Sequence, residues 1–360
     1  MTWNSDLQVQ SVIGRPLGEL LEGRPRRQAL DGFDPLYSDF VDYIVRCTHR
    51  IWEQKNIGLI RSHYSADCPL FALSGKSVGA EAILRNTLQS LAGHPDRTPI
   101  AEDVIWSEDS PGVFFSSHRI MSVSAHLGTD ALLGVPVHGG LTFIPVIADC
   151  VCRENQIIEE WLVRDYVKFA RSFGVEPRAL AERLAREDRE GEPLRHSWLR
   201  EEASRVRALG DIEPPIDHPA APIARALRLA FVEEQFGDAA GVASPSIEVE
   251  WSGGRRLVGR GAWIGCLMQL ATPLGERFYA LDHWAARPRP DGDVAVALRW
   301  WLIGRHQFDG VWGQPTGREL VVLAISHYRL RGGRLIEDFT VIDEVGVLRQ
   351  SAGGLGACET

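Results

Sequence analysis

The stretch ENQIIEEWLVRD, at residues 154–165, has a counterpart near the end of the chain in GGRLIEDFTVID, at residues 332–343. Both segments read as a turn, an apolar pair, an acidic pair and an aromatic residue, with an aspartate four residues after the aromatic one. The closing aspartates, Asp165 and Asp343, are 178 residues apart in a chain of 360. Because self-similarity at a fixed spacing is the signature of duplication, the chain is predicted to hold two copies of one unit.

A second feature repeats at nearly the same spacing. A run of small and apolar residues ends at His126, and a similar run leads into Arg305 and His306, 180 residues further on. Upstream, SGKSVGAEAI at residues 74–83 parallels GGRRLVGRGAW at residues 253–263, each a small-residue turn that leads into a helix. The repeat therefore extends over most of both halves.

Periodicity gives each copy the same order of elements. Apolar residues recur at helical spacing over residues 40–52 and 223–236. Apolar and polar residues then alternate in three long strands per copy, at residues 113–127, 141–152, 157–163, 294–305, 320–330 and 335–341. Short turns between consecutive strands favour antiparallel pairing. Helices followed by such a sheet are typical of the α+β class.

Composition shifts set the predicted domain bounds. We expect an N-terminal arm (1–34), a first domain (35–178), a charged helical linker (179–215) that ends at two prolines, a second domain (216–350) and a tail (351–360).

Charge and composition exclude several classes of protein. The net charge of −9 repels phosphate backbones, so we expect no nucleic-acid partner. The sequence shows neither an apolar window long enough to span a membrane nor a secretory leader at its start, so no membrane partner is expected. The six cysteines include no CxxC pair and read as reduced thiols, which favours a cytoplasmic protein.

These motifs together resemble the SnoaL-like polyketide cyclase family, within the nuclear transport factor 2-like superfamily. The most specific likeness is in the second copy, where the strand ending at His306 is followed by GQPTGRE at residues 313–319. The first copy has a degraded version of this turn, GVPVHG at residues 134–139. The resemblance implies two cone-shaped domains, each a curved antiparallel sheet covered by helices, which pair as a pseudo-dimer within one chain and leave further self-association open.

The resemblance also implies a carboxylate acting as general acid/base. Asp165 and Asp343 are the candidates, because each closes its last strand and two-residue alternation places it on the face of Trp161 or Phe339. An aspartate beside an apolar cavity is desolvated and can exchange a proton with a carbon acid near neutral pH. The bland alternative is that each aspartate caps the strand end or the following turn.

Histidines and aromatic residues complete the predicted site. His126 and His306 end the strand expected beside the aspartate-bearing one, where an imidazole could polarise a carbonyl group; hydrogen bonding at the sheet rim is the alternative. The predicted substrate-binding residues are Trp161, His118, Phe339, Trp300 and Trp106. No metal-binding, dinucleotide, Walker or serine-hydrolase motif is present, so we expect no metal and no cofactor.

Two functions follow from this reading. The first is a cofactor-free acid/base enzyme, a cyclase, isomerase or lyase of aldol type that acts on a hydrophobic polyketide, steroid or aromatic small molecule. The alternative is a non-catalytic module of the same fold that binds a small molecule or a protein, since a fold does not fix a function. The sequence does not decide which copy is the working one.

Overall fold

The computed structural model describes residues 25–73, 75–125, 140–190, 198–210 and 212–353, and the backbone alone of residues 129–130 and 135–136. In these parts of the chain, the helices are too short or too polar to cross a bilayer.

The first copy begins with helices and ends with long strands. Its helices are α1 (Phe40–Thr48), extended by a π-helical turn (His49–Glu53) and a 3₁₀ turn (Ile57–Leu59), then α2 (Ile60–His63) and α3 (Ala80–Gly93). Its strands are β1 (Pro69–Ala72), β2 (Gly75–Val78), β3 (Thr98–Ser110), β4 (Val113–Ser124), the short pair β5 (Thr129–Asp130) and β6 (Val135–Pro136), β7 (Thr142–Arg153) and β8 (Gln156–Arg164).

The second copy repeats this order after a helical connection. The connecting helices are α4 (Tyr166–Ser172), α5 (Pro177–Glu190) and α6 (Trp198–Leu209), and the helical linker expected over residues 179–215 contains most of α5 and all of α6. The second copy then has α7 (Ala221–Phe231), α8 (Phe236–Ala239), a 3₁₀ turn (Ala240–Val242), β9 (Ala243–Trp251), β10 (Arg255–Val258), α9 (Arg260–Ala271), β11 (Leu274–Pro288), β12 (Val294–His306), β13 (Glu319–Arg331), β14 (Arg334–Ile342) and α10 (Glu344–Ser351).

The two six-stranded sheets have the same strand order. It is β2-β1-β8-β7-β4-β3 in the first and β10-β9-β14-β13-β12-β11 in the second, which confirms the predicted duplication and the α+β class. The expectation of purely antiparallel sheets is wrong for one pairing in each, because β1 runs parallel to β8 and β9 runs parallel to β14. Strands far apart in sequence can pair in parallel, since the intervening chain supplies the long crossover.

The sequence analysis missed the long strands β3 and β11. Each forms one edge of its sheet, and β3 has buried side chains in only the middle of its length, from Val104 to Trp106. An edge strand that is partly exposed lacks the strict alternation by which half-buried strands are recognised.

The turn into the sheet-covering helix is also repeated. Gly79 precedes α3 with φ +88° and Gly259 precedes α9 with φ +105°, a backbone region that glycine adopts readily. A Cβ atom at Gly79 would lie 2.5 Å from the carbonyl oxygen of Ala66. This close approach and the positive φ both require glycine at position 79, whereas at Gly259 the positive φ alone favours it.

The chain forms two compact units. The first comprises residues 1–72, 77–162 and 287–292, and the second comprises residues 73–76, 163–286 and 293–360. The predicted pseudo-dimer and domain bounds stay predictions.

In each unit one sheet face is covered by helices, and we call it the inner face. In the first unit the inner-face residue Phe114 stacks on Phe40 of α1, with ring centroids 4.9 Å apart. In the second unit Trp300 packs against Phe231 of α7 at 5.4 Å. Burial of these large rings is the main stabilising contribution in each core.

Candidate functional site

Asp165 is the N-cap of helix α4. Its Oδ1 accepts a hydrogen bond from the Lys168 amide at 2.9 Å, and its Oδ2 accepts from the amides of Gly253 and Gly254 at 2.8 and 3.2 Å. The carboxyl group is fully buried, and burial raises its pKa although these three hydrogen bonds act in the opposite direction.

Asp343 has the same position in the second copy. It is the N-cap of α10, with Oδ1 2.9 Å from the Gly346 amide. Burial raises its pKa to about 7, the hydrogen bond from Gly346 opposes this rise, and the charge of Asp165 adds to it. Both strand-closing aspartates thus bind backbone amides, as the capping alternative expected.

The predicted partner histidines are placed apart from these aspartates. His126 lies outside the described residues. His306 ends β12, which is separated from β14 by β13, so the expectation of adjacent strands is wrong. Along β13, the residues paired with Arg305 and Ile342 are five positions apart, which is about 16 Å. His306 Nδ1 instead lies 3.2 Å from Thr316 Oγ1, in the GQPTG turn.

The predicted substrate-binding residues divide between the two sheet faces. Three of them lie on the inner faces: Trp300, Trp106 and His118. Each is paired across the sheet with another inner-face residue, Ala324, Ser116 and Val104 respectively. Trp161 and Phe339 lie on the opposite faces. Trp161 stacks on Phe71, which is its parallel partner, at 5.2 Å.

The acidic pairs supply the inner-face carboxylates that the sequence analysis missed. Alternation sends one member of each pair inward, and these are Glu160 in the first unit and Asp338 in the second. Asp338 is 2% exposed and Glu160 is 5% exposed. The signal in the sequence was the acidic pair itself, because two adjacent residues of a strand point to opposite faces and one of them must point inward. The closing aspartate lies beyond the end of the strand, so its face could not be inferred by alternation.

Asp338 is surrounded by donors that carry no charge. Its Oδ2 accepts from Trp263 Nε1 of α9 at 2.7 Å, and its Oδ1 accepts from Thr340 Oγ1 at 2.6 Å. Burial raises the pKa of Asp338 to about 6, and the hydrogen bonds from Thr340 and Trp263 limit the rise. Among the described residues no cation forms an ion pair with this carboxylate.

A chain of hydrogen bonds continues from Asp338 across the inner face. Thr340 Oγ1 and Ser326 Oγ are 2.7 Å apart, and Ser326 Oγ accepts from Trp300 Nε1 at 3.0 Å. Such a buried network holds its members in fixed positions.

Two tyrosines lead from this network towards a small pocket. Tyr328 is paired with Asp338 in the β13–β14 ladder, and burial, followed by the charge of Asp338, raises its pKa well above 10. Tyr279 packs on Trp300 at 6.2 Å, and its buried hydroxyl has no hydrogen-bond partner. Tyr279 also lines this small pocket together with Glu213 and Arg228.

The first unit has a different set of inner-face groups. Glu160 accepts a hydrogen bond from Tyr64 at 3.0 Å. Cys150 is buried, and the charge of Glu160 adds to burial in raising the pKa of its thiol. In the described part of the chain, no cluster of three or more His, Cys, Asp or Glu side chains is arranged to hold a metal ion.

Three further polar groups lie close together on this face. Trp106 and Ser116 are directly opposite each other on β3 and β4, and His118 is two residues beyond Ser116. Trp106 Nε1, Ser116 Oγ and His118 Nε2 are buried and have no hydrogen-bond partner. Burial lowers the pKa of His118 to about 4, so its imidazole is neutral at physiological pH.

No family model matches the chain. No curated protein matches it either.

Solved structures of SnoaL-like polyketide cyclases and nuclear transport factor 2-like proteins are similar to parts of the chain. One from Acidithiobacillus ferrooxidans, described provisionally as a polyketide cyclase, is 19% identical over 38% of this chain and 96% of its own, with a TM-score of 0.32. A provisionally assigned SnoaL-like cyclase from Jannaschia is 16% identical over 40% of this chain and 98% of its own, with a TM-score of 0.30. A nuclear transport factor 2-like protein of unknown function from Exiguobacterium is 18% identical over 35% and 99%, with a TM-score of 0.27.

Proposed function

We propose that the second unit is a cofactor-free acid/base enzyme acting on a small hydrophobic ketone or phenol, with Asp338 as the general acid/base. The observation that carries the proposal is a buried carboxylate with no counter-cation among the described residues and a pKa raised to about 6. A group with a pKa close to the working pH is suited to both removing and returning a proton.

The acid/base role is assigned to Asp338 in preference to Asp165 and Asp343. Backbone amides engage the latter two, and capping a helix accounts for their positions. Asp338 faces the inner side of the sheet, where an apolar substrate would be held by rings such as Trp300 and Phe231.

The proposed step is a proton transfer at carbon. The Asp338 carboxylate removes a proton from the carbon next to a carbonyl group, and the electron pair moves to the carbonyl oxygen to form an enolate. A tyrosine hydroxyl donates a hydrogen bond to that oxygen, which stabilises its negative charge. We assign this donor role to Tyr279, because its buried hydroxyl has no hydrogen-bond partner and the residue is one of those that line the pocket. Asp338 then returns the proton to carbon, or the enolate carbon bonds to a second carbonyl carbon of the same molecule and the alkoxide so formed takes the proton from Asp338.

Non-catalytic binding is the second candidate. The hydrogen-bond chain from Trp300 to Asp338 supports it, because a network that ties α9 to the sheet accounts for the buried carboxylate without catalysis.

Deuterium exchange into small ketones tests the proposal. The full chain is incubated in D₂O buffer with acetophenone, 1-tetralone and cyclohexanone, and label is measured by mass spectrometry. We expect catalysed exchange that rises with pH through about 6, where Asp338 becomes ionised. Asp338→Asn should lower the rate by about 100-fold or more, which is the usual range for loss of a general base.

Asp343→Asn is the matched control, because it neutralises a second buried aspartate of the same unit. Its exchange rate should stay within about twofold of the parent rate. Exchange that persists in Asp338→Asn, or none in the parent protein, would refute the acid/base proposal. A loss seen only in Asp343→Asn would transfer the role to that residue.

A further inference from the structure

We propose that the inner face of the first unit binds a small aromatic carboxylate, held by Arg287, Trp106, Ser116 and His118. This inference does not rest on the proposed chemistry of Asp338, which belongs to the second unit.

The first argument is the position of three unpartnered polar atoms. Trp106 and Ser116 are cross-strand partners, and His118 lies on the same face about 7 Å along the strand from Ser116. All three side chains are at least 96% buried. A buried polar atom without a partner costs about 1–3 kcal/mol, so three on one patch indicate a group that completes their hydrogen bonds.

The second argument is a cation without a carboxylate partner. Arg287, which belongs to the first unit, stacks on the ring of Trp106 with its guanidinium carbon 3.6 Å from the ring centroid. Within the described residues it forms no ion pair, and its Nε is buried without an acceptor. Burial lowers the pKa of Arg287 to about 10, with only the charge of Glu108 acting against this, so it remains a cation at neutral pH.

The chemistry of these groups selects the ligand. Arginine and the tryptophan indole only donate hydrogen bonds, while serine and a neutral histidine can do so as well. A ligand that completes these hydrogen bonds must therefore be rich in acceptors, and a carboxylate matches both the charge and the planar shape of a guanidinium. Phe114 lies 6.1 Å from Trp106, so an aromatic ring borders this polar patch.

The pKa of His118 reports the charge of a bound ligand, which occupancy of the site alone does not reveal. Its pKa of about 4 keeps the ring neutral in the free protein. An opposite charge nearby favours the protonated form, so a bound carboxylate should raise this pKa. Asp103 is the one described acidic group whose charge acts on His118, and its carboxylate is paired with Arg289. Because Asp103 is present with and without the ligand, it does not account for a change of the His118 pKa on binding.

Titration of the full chain with benzoate tests the site, and benzamide serves as its neutral analogue. Tryptophan is labelled with ¹⁵N, and Trp106→Phe assigns the Trp106 Nε1 signal. Benzoate should shift that signal saturably and raise the pKa of His118, followed through its ring carbon signals. Benzamide should bind at least about tenfold more weakly, since a hydrogen bond to a charged group contributes about 1.5–3 kcal/mol.

Two arginine variants distinguish a built site from a general effect of charge. Arg287→Gln should weaken benzoate about tenfold or more and bring it level with benzamide. Arg256→Gln, which removes an arginine whose side chain is 73% exposed in the second unit, should leave both affinities unchanged.

Three results would each overturn the proposal. The first is a Trp106 signal that benzoate does not shift, which would mean that water alone completes the polar patch. The second is equal affinity for benzoate and benzamide in the parent protein. The third is benzoate binding that survives Arg287→Gln in a variant with the parent's far-ultraviolet circular dichroism. The comparison of the two ligands needs no variant, so it decides the matter even if Arg287→Gln does not fold. Exchange by Asp338 and binding by Arg287 are measured separately, so the failure of one proposal is distinguishable from failure of the other.

Discussion

The Asp165 carboxylate accepts a hydrogen bond from the backbone amide of Gly253 over 2.8 Å. The same oxygen accepts from Gly254, and the other carboxylate oxygen caps α4 through Lys168. One side chain thus accepts hydrogen bonds from the backbone amides of both a helix start and a glycine turn.

Replacement of Asp165 should therefore reduce stability. Asp165→Ala leaves three partly buried backbone amides without this acceptor, and we expect the free energy of unfolding to fall by about 2 kcal/mol. Asp165→Asn keeps one acceptor oxygen and should cost less. Denaturation by urea, followed by tryptophan fluorescence, measures both. A loss below about 0.5 kcal/mol in Asp165→Ala would contradict the capping role.

Asp343 predicts a pH dependence of stability. Its folded pKa of about 7 is above the value near 3.9 expected for the unfolded chain, so the folded state binds the proton more tightly. The resulting stabilisation is complete below pH 3.9 and is lost as pH rises to about 7.

Asp343→Asn should remove this contribution, because the amide does not ionise and its oxygen still accepts from Gly346. We expect the variant to gain about 2 kcal/mol relative to the parent protein between pH 5 and pH 8. The measurement is the difference in unfolding free energy at the two pH values. The same difference in both proteins would show that Asp343 does not titrate in this window.

The sequence predicted the repeat and the sheet strands more readily than the site. Alternation and spacing depend on burial, and the inner faces of both sheets are buried as the pattern required. The site depends on where a strand ends. Alternation placed Asp343 with Phe339, but β14 stops at Ile342 and the chain turns into α10. The inner-face acid was the neighbour of Phe339, Asp338, whose partner Trp263 lies 75 residues earlier and whose contact no local pattern reveals.

The GQPTG turn contains one glycine whose replacement by alanine would cause a clash and a second glycine that serves as the control. Gly313 has φ +91°, and a Cβ atom there would lie 2.6 Å from an Arg178 guanidinium nitrogen. Gly317 has φ +69° with open space around its Cβ position. Both alanine variants should lose stability through backbone strain, by about 1 kcal/mol.

Gly313→Ala should lose more than Gly317→Ala, because Arg178 must also move. The comparison uses thermal unfolding of the two variants in the Arg178→Ala background as well. Removal of the guanidinium should bring the two losses to the same size. If they differ as much without Arg178 as with it, the contact is not the cause.

Trp263 is expected to set the proton affinity of Asp338. Its Nε1 donates to Asp338 Oδ2 over 2.7 Å, which stabilises the ionised carboxylate. Trp263→Phe removes this donor while keeping an aromatic ring, so the pKa of Asp338 should rise from about 6 by about one unit or more. Trp301→Phe is the matched control, since Trp301 donates to Asp282 over 3.1 Å on the opposite sheet face. It should leave the pKa of Asp338 unchanged.

Carboxyl carbon NMR across pH 4 to 9, with the Asp338 signal assigned by Asp338→Asn, follows the titration. Because the proposed exchange rate depends on ionised Asp338, its pH profile should move by the same amount in Trp263→Phe. A profile that stays in place while the carboxyl titration moves would remove Asp338 from the reaction.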